Sequence, residues 1–165
     1  MIFQREIRKR VIPIAEYTNN QIQQLSPNGS IIFTESTVPC NRGFVRHRDG
    51  SGNFLLSGYV PYKNGCRCNN ALYLVDFGAN IAIPTGETVG EISLAIAIDG
   101  SVIPASTMIV TPAAVEEFFN VSRAINVQIW RGCCETVSIV NTSDIPILVQ
   151  NANVIFSRPD MDVTY

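Results

Sequence analysis

The sequence predicts an all-β fold, a jelly-roll sandwich of about eight to ten antiparallel strands behind an extended N-terminal arm. Three observations carry that expectation. Apolar residues alternate with small or polar ones, the period-two signature of strands, most plainly where Ile92, Leu94, Ile96 and Ile98 interleave with Ser93, Ala95 and Ala97. Turn clusters rich in Gly, Asn, Asp and Pro recur at roughly dozen-residue spacing. Only Thr111 to Asn120, TPAAVEEFFN, reads as helical, with Thr111 as cap, Pro112 at the first position and Glu116 and Glu117 early in the segment.

Taken in order, residues 1–27 form the arm, 28–159 the jelly roll and 160–165 a C-terminal tail. The arm has no sustained apolar period. Pro13 forces Ile12 into an extended conformation, and Glu16 to Leu25 is too polar to serve as a core element. Ser26-Pro27-Asn28-Gly29 is a turn cluster, and Ile31 to Thr34 begins the strands. Phe44 to Arg48 and Phe54 to Val60 flank the loop Asp49-Gly50-Ser51-Gly52 as a hairpin. Asp49, Ser51 and Asn53 alternate like the first ligands of a calcium loop, but no Glu closes it, so a turn is the better account.

Tyr73, Val75, Phe77, Ala79, Ile81 and Ile83 give one long strand a buried face, with a kink expected at Gly78. Asp99-Gly100 suits a type I′ turn, which sets Ile98 opposite Ser101, Ile96 opposite Ile103 and Leu94 opposite Ala105. The small face of the first of these strands suits close approach by a second layer or a neighbouring subunit. Pro104 lacks an N–H, so the return strand is an edge or carries a bulge there. Val121, Ile125, Val127 and Ile129 form another inward face, with Trp130 on the opposite side. Between Val149 and Ala152 the apolar phase switches from odd to even, the mark of a bulge or of a strand bending between sheets.

Charge narrows the function classes. Charged residues make up only 16% of the 165, little for a lone domain bathed in water. Partners are therefore expected to cover some of the apolar surface. Arg5, Arg8, Lys9 and Arg10 against Glu6 give the first ten residues +3, leaving −5 for the rest of a chain whose total is −2. A basic arm precedes an acidic body, either a solvated terminus or an anchor for an acidic surface. No window is apolar enough to span a membrane, and the charged start leaves no apolar core for a signal peptide, so synthesis in a cytoplasm is expected.

The residues offer no catalytic constellation. The single histidine, His47, sits among Arg46, Arg48 and Asp49 beside a turn and reads as a surface residue. No nucleophile elbow, phosphate loop or metal-ligand spacing is present. Cys40, Cys66, Cys68, Cys133 and Cys134 lack zinc-knuckle spacing and are odd in number. Reduced thiols are the ordinary expectation in a cytoplasm; the alternative is that two pairs meet and bind a soft metal or oxidise outside the cell. No cofactor is called for.

The runs NGSIIF, GSGNFLLSGYV, EISLAIAIDGSVI and IVNTSDIPILVQNANVIFSR, spanning Asn28 to Pro159, resemble the compact trimeric jelly rolls of the tumour-necrosis-factor and complement-globular-head superfamily. The pattern looks closest to its bacterial and bacteriophage branch, whose domains serve as virion decoration, head-fibre, tail-associated or spore-filament-tip proteins. A collagen-like Gly-X-Y stretch is lacking, which favours a short-armed virion protein. The resemblance implies a non-enzymatic homotrimer, made in the bacterial host cytoplasm and located in the virion, with no nucleic-acid or membrane partner. Its contact with a capsid or other virion protein is expected through Ile2, Phe3, Arg5, Ile7, Arg8, Lys9, Arg10, Val11, Ile12 and Ile14. A host-surface or carbohydrate adhesin is the runner-up, with Tyr59, Tyr62, Tyr73 and Trp130 as candidates for an aromatic glycan site.

Overall fold

The computed structural model describes residues 10–40, 42–60, 62, 68–161 and 163–164, with the side chains of Arg10, Val11, Cys133, Val163 and Thr164 left aside. In chain order the strands are β1 (Arg10–Val11), β2 (Ile14–Asn19), β3 (Gln23–Leu25), β4 (Glu35–Val38), β5 (Val45–His47), β6 (Phe54–Gly58), β7 (Asn70–Ala82), β8 (Ile92–Ile98), β9 (Ser101–Val102), β10 (Met108–Val110), β11 (Phe119–Trp130), β12 (Gly132–Asn141), β13 (Ile147–Ser157) and β14 (Val163–Thr164). The first sheet runs β10-β8-β12-β6-β5, with β9 also on β8; the second runs β11-β7-β13-β2-β4, with β3 also on β13. Since β9 and β10 share one edge of β8, and β2 and β3 one edge of β13, each sheet has five strand positions. All pairings are antiparallel, and the all-β jelly-roll sandwich is as the sequence predicts.

The odd face of β7 is buried from Tyr73 through Ile83. Burying each large side chain there contributes roughly 1.5 to 3 kcal/mol, and the strand runs unbroken through Gly78 against both β11 and β13. Across the interior, Phe54 of the first sheet touches Tyr17 and Phe156 of the second, with ring centroids 4.9 and 4.8 Å away, and Phe33 at 5.2 Å. The odd-to-even phase change in β13 is a bulge within one sheet, between Gln150 and Asn153. Asn151 occupies it at φ 54°, a left-handed conformation that Asn tolerates better than most residues.

Three expectations need correction. Ile14–Asn19 and Gln23–Leu25 are strands, and Ala15, Tyr17 and Leu25 lie in the core, so this part of the expected arm belongs to the sandwich. Thr111 to Asn120 is not a helix: it bends, Glu116 takes φ 58° and gives its N–H to the Ile83 carbonyl at 2.7 Å, and Phe119 already belongs to β11. A tertiary hydrogen bond thus overrides the local helix signals. The hairpin turns at Asp99-Gly100 with both φ positive and pairs Ile98 with Ser101, but a 3₁₀ turn at Pro104–Ser106 puts Met108, not Ala105, opposite Leu94. Of the two covers expected for the small face of β8, the one within the chain is found: Ser93, Ala95 and Ala97 are buried without a neighbouring subunit.

Candidate functional site

The outer face of the second sheet is the broad open surface, and its register arranges it in rows. Nearest the chain ends, Ile14, Ser157, Leu74 and Asn126 lie side by side across four strands. The next row is Glu16, Ile155, Asp76 and Ala124, and the third is Thr18, Asn153, Gly78 and Ser122. Farthest away, Gln150 pairs with Asn80 and Asn80 with Asn120. Asn120 Nδ2 donates to Asn80 Oδ1 at 3.1 Å and Asn80 Nδ2 to Asn151 Oδ1 at 3.3 Å, a ladder of amides over three strands. Asn153 Nδ2 donates to the Glu16 carboxylate. These rows therefore grade from apolar to amide, with Glu16 and Asp76 as their charges and no Lys or Arg.

Beside this face lies an open lateral edge, where β10 ends one sheet and β11 the other. A shallow cleft of about 390 Å³ runs between them, lined by residues 107–110 and 120–123. Arg123 spans it, its Nε and Nη2 donating to the Ala105 carbonyl at 3.0 and 2.6 Å. Among the described residues no carboxylate pairs with Arg123. Ile109 stands exposed at the same edge.

At the end where the chain arrives and leaves, a buried arginine closes the sandwich. Arg158 is 0% exposed. Its Nε and Nη2 donate to the two Asp160 carboxylate oxygens, each at 2.8 Å, and Nη2 also to the Tyr59 carbonyl at 2.8 Å. The guanidinium lies 4.7 Å from the Tyr73 ring centroid, a cation–π contact. The Tyr73 hydroxyl shares its proton between the carbonyls of Phe44 and Ser57, at 2.9 and 2.6 Å. Leu72 N–H donates to Asp160 at 3.1 Å.

Burial pushes the Tyr73 phenol up to about 12, with Arg158 working against that shift. Burial alone would favour a neutral Asp160, but hydrogen bonds from Arg158 and Leu72 hold its carboxyl below the ordinary range. Burial likewise opposes the Arg158 charge, yet its bonds to Asp160 and Tyr73 leave its pKa raised. Gly58 sits at this end because a Cβ there would lie 2.1 Å from the Trp130 carbonyl.

The expected arm residues divide. Ile2, Phe3, Arg5, Ile7, Arg8 and Lys9 lie outside the described residues; Arg10 and Val11 form β1; Ile12 is exposed, and Ile14 opens β2 on the outer face. Of the four candidate glycan-site aromatics, Trp130, Tyr62 and Tyr59 are 68, 64 and 56% exposed, whereas Tyr73 is buried in the Arg158 cluster. His47 is half-buried rather than a plain surface residue: its ring stacks on Phe54 at 4.4 Å, Nε2 is hydrogen-bonded to the Ser51 carbonyl at 3.0 Å, and Nδ1 is buried without a hydrogen-bond partner. Cys40 and Cys68 are free, as expected, but Cys134 is disulfide-bonded, which overturns the reduced state for that residue. Among the described residues no group of three or more His, Cys, Asp or Glu could hold a metal, and no helix is long and apolar enough to cross a membrane.

The fold has well-separated relatives among solved structures. The globular domain of zebrafish complement 1qA matches with a TM-score of 0.56 over 88% of this chain and 94% of that one, at 14% identity. Murine APRIL matches with a TM-score of 0.62 over 90 and 99% at 8% identity, and Eiger TNF from S. frugiperda with 0.62 over 93 and 96% at 8%. At such identities the likeness establishes the jelly-roll fold and stops there. No family model and no curated protein matches the sequence.

Proposed function

We propose that the chain is a structural virion protein of the bacteriophage decoration or head-fibre type, a homotrimer attached to its particle through the N-terminal arm. The observation that carries the assembly is the complementarity of two surfaces on one chain. The outer face of the second sheet offers the carboxylates of Glu16 and Asp76 beside Ile14, Leu74 and Ile155, while the β10/β11 edge offers Arg123, without a carboxylate partner among the described residues, beside Ile109. Face meeting edge is a heterologous contact, which closes when repeated around a ring; the resemblance to trimeric jelly rolls sets the ring at three. Support for attachment comes from the basic composition of the first ten residues and from the position of β1, outside both sheets.

Light scattering on the purified protein tests the assembly. A trimer mass at micromolar concentration is expected, with Asp76→Arg shifting the protein towards monomer while leaving the fold intact. A monodisperse wild-type monomer refutes the assembly.

A host-surface adhesin is the second reading, favoured by the exposure of Tyr59, Tyr62 and Trp130. Aromatic faces of this kind stack on sugar rings. Glycan-array binding that Trp130→Ala abolishes without changing the trimer would favour it.

A further inference from the structure

The Arg158 cluster does more than seal one end of the sandwich, because the segment that enters β2 and the one that leaves β13 both meet it. Arg158 follows β13 directly, and its backbone N–H donates to the Pro13 carbonyl at 3.1 Å. Asp160 and Met161 fold back on it, with Met161 N–H donating to the Arg158 carbonyl at 3.0 Å. Shortly after, Val163–Thr164 pairs antiparallel with Arg10–Val11, Val163 opposite Val11 and Thr164 opposite Arg10. This ribbon joins neither sheet. Arg10 and Val11 therefore do not run as a single free strand. They are paired with Val163 and Thr164, and the ribbon is rooted at Arg158 and Asp160, an ion pair whose guanidinium the core encloses.

We propose that the C-terminal tail is the guide strand of the N-terminal arm: the two chain ends form one stem, aimed by Arg158 and Asp160, that presents the arm to its docking surface. The stem is a statement about the free protein, while its biological use rests on the attachment reading above. Ordering an arm costs conformational entropy for each residue fixed, and a stem that fixes the arm's root and direction beforehand lowers that cost at the docking step. The guide also explains why a tail beyond the last sheet strand turns back toward the N-terminal segment.

Trypsin cleavage after Arg10 reads the stem directly, because a protease needs an unpaired extended backbone and paired strands must first open. The full chain is compared with one ending at Met161, which keeps Arg158 and Asp160 and so keeps the sandwich closed; equal melting temperatures check this. Mass spectrometry follows the fragment that begins at Val11. The truncated chain should be cut there about tenfold faster, since opening of the ribbon no longer limits the rate. Asp160→Asn, with the tail present but its root loosened, should accelerate the same cut.

Equal cleavage rates for the full and truncated chains overturn the stem. Loading onto particles separates this outcome from failure of the attachment reading. A chain lacking residues 1–9 retains the ribbon; if it loads at normal occupancy, attachment through the arm is wrong, although accelerated cleavage in the truncated chain still upholds the stem. If removal of residues 1–9 abolishes loading and the tail truncation neither speeds cleavage nor lowers loading, the arm works alone and the stem is wrong.

Discussion

The two ends of strand β13 are closed by polar clusters of different kinds. Before its first residue, the turn after β12 is held by buried Asn141, whose Nδ2 donates to the Leu25 and Ile145 carbonyls at 3.2 and 2.9 Å and whose Oδ1 accepts from Ser143 N–H at 2.8 Å. Ser143 Oγ accepts from Ser93 N–H at 2.7 Å, and the Ser93 and Thr142 hydroxyls meet at 2.6 Å. Every member is neutral. After the last residue of β13 comes the charged counterpart, Arg158 with Asp160, Tyr73 and the Tyr59 carbonyl. A neutral cluster satisfies buried groups at small desolvation cost, whereas a buried ion pair must recover a large one. That cost is met at the end where the arm is rooted, so the strongest geometric constraint coincides with the proposed attachment.

Removing one charge should break this comparison most severely. Asp160→Asn leaves the enclosed Arg158 without a compensating carboxylate, and the loss should be about 3 kcal/mol, the lower end of the range for broken buried pairs because Asp160 is 22% exposed. Urea unfolding at pH 7 measures it. A loss below about 1 kcal/mol, the scale of exposed pairs, would mean that water already solvates the guanidinium.

Asn141→Ala tests the neutral end and should do less. The carbonyls of Leu25 and Ile145 and the Ser143 N–H lose a partner together, but none carries charge; about 2 kcal/mol is the expected cost. The same unfolding experiment ranks the pair. If Asn141→Ala proves costlier than Asp160→Asn, the neutral cluster is the main fastening of the sandwich.

What the sequence disclosed follows the same division between local and distant causes. The β8–β9 turn was legible because Asp99-Gly100 needs only itself to favour positive φ, and the β13 bulge because a phase change is visible within one strand. Strand β2 was hidden: its inward residues, Ala15, Tyr17 and Asn19, make a weak apolar period, and Tyr17 earns its place only by meeting Phe54 and Phe156 from distant strands. The boundary drawn between Pro159 and Asp160 separated Arg158 from its carboxylate, since nothing adjacent announces that Tyr73 and the Tyr59 carbonyl enclose the guanidinium. His47 was misplaced for the same reason, its charged neighbours in sequence saying nothing of Phe54 beneath its ring.

Acid separates the two ends without altering either by more than the charge itself. Asp160 has its carboxyl pKa lowered from 3.8 in the folded protein by the bonds from Arg158 and Leu72 that outweigh burial. A depressed carboxylate contributes stability that is fully present above its unfolded value and is lost as pH falls through the folded one. The gap between wild type and Asp160→Asn should therefore hold steady from pH 7 to about 5 and narrow only as pH drops below the ordinary carboxylate value. Tyr73 does not enter this window, its phenol standing at about 12. The gap for Asn141→Ala should stay constant throughout, because that cluster contains no group that titrates. Urea midpoints across the series decide the matter. An Asp160→Asn gap that persists undiminished at the acid end would show that the asparagine fails by shape and not by charge, and an Asn141→Ala gap that narrows in parallel would tie both ends to one cooperative acid transition.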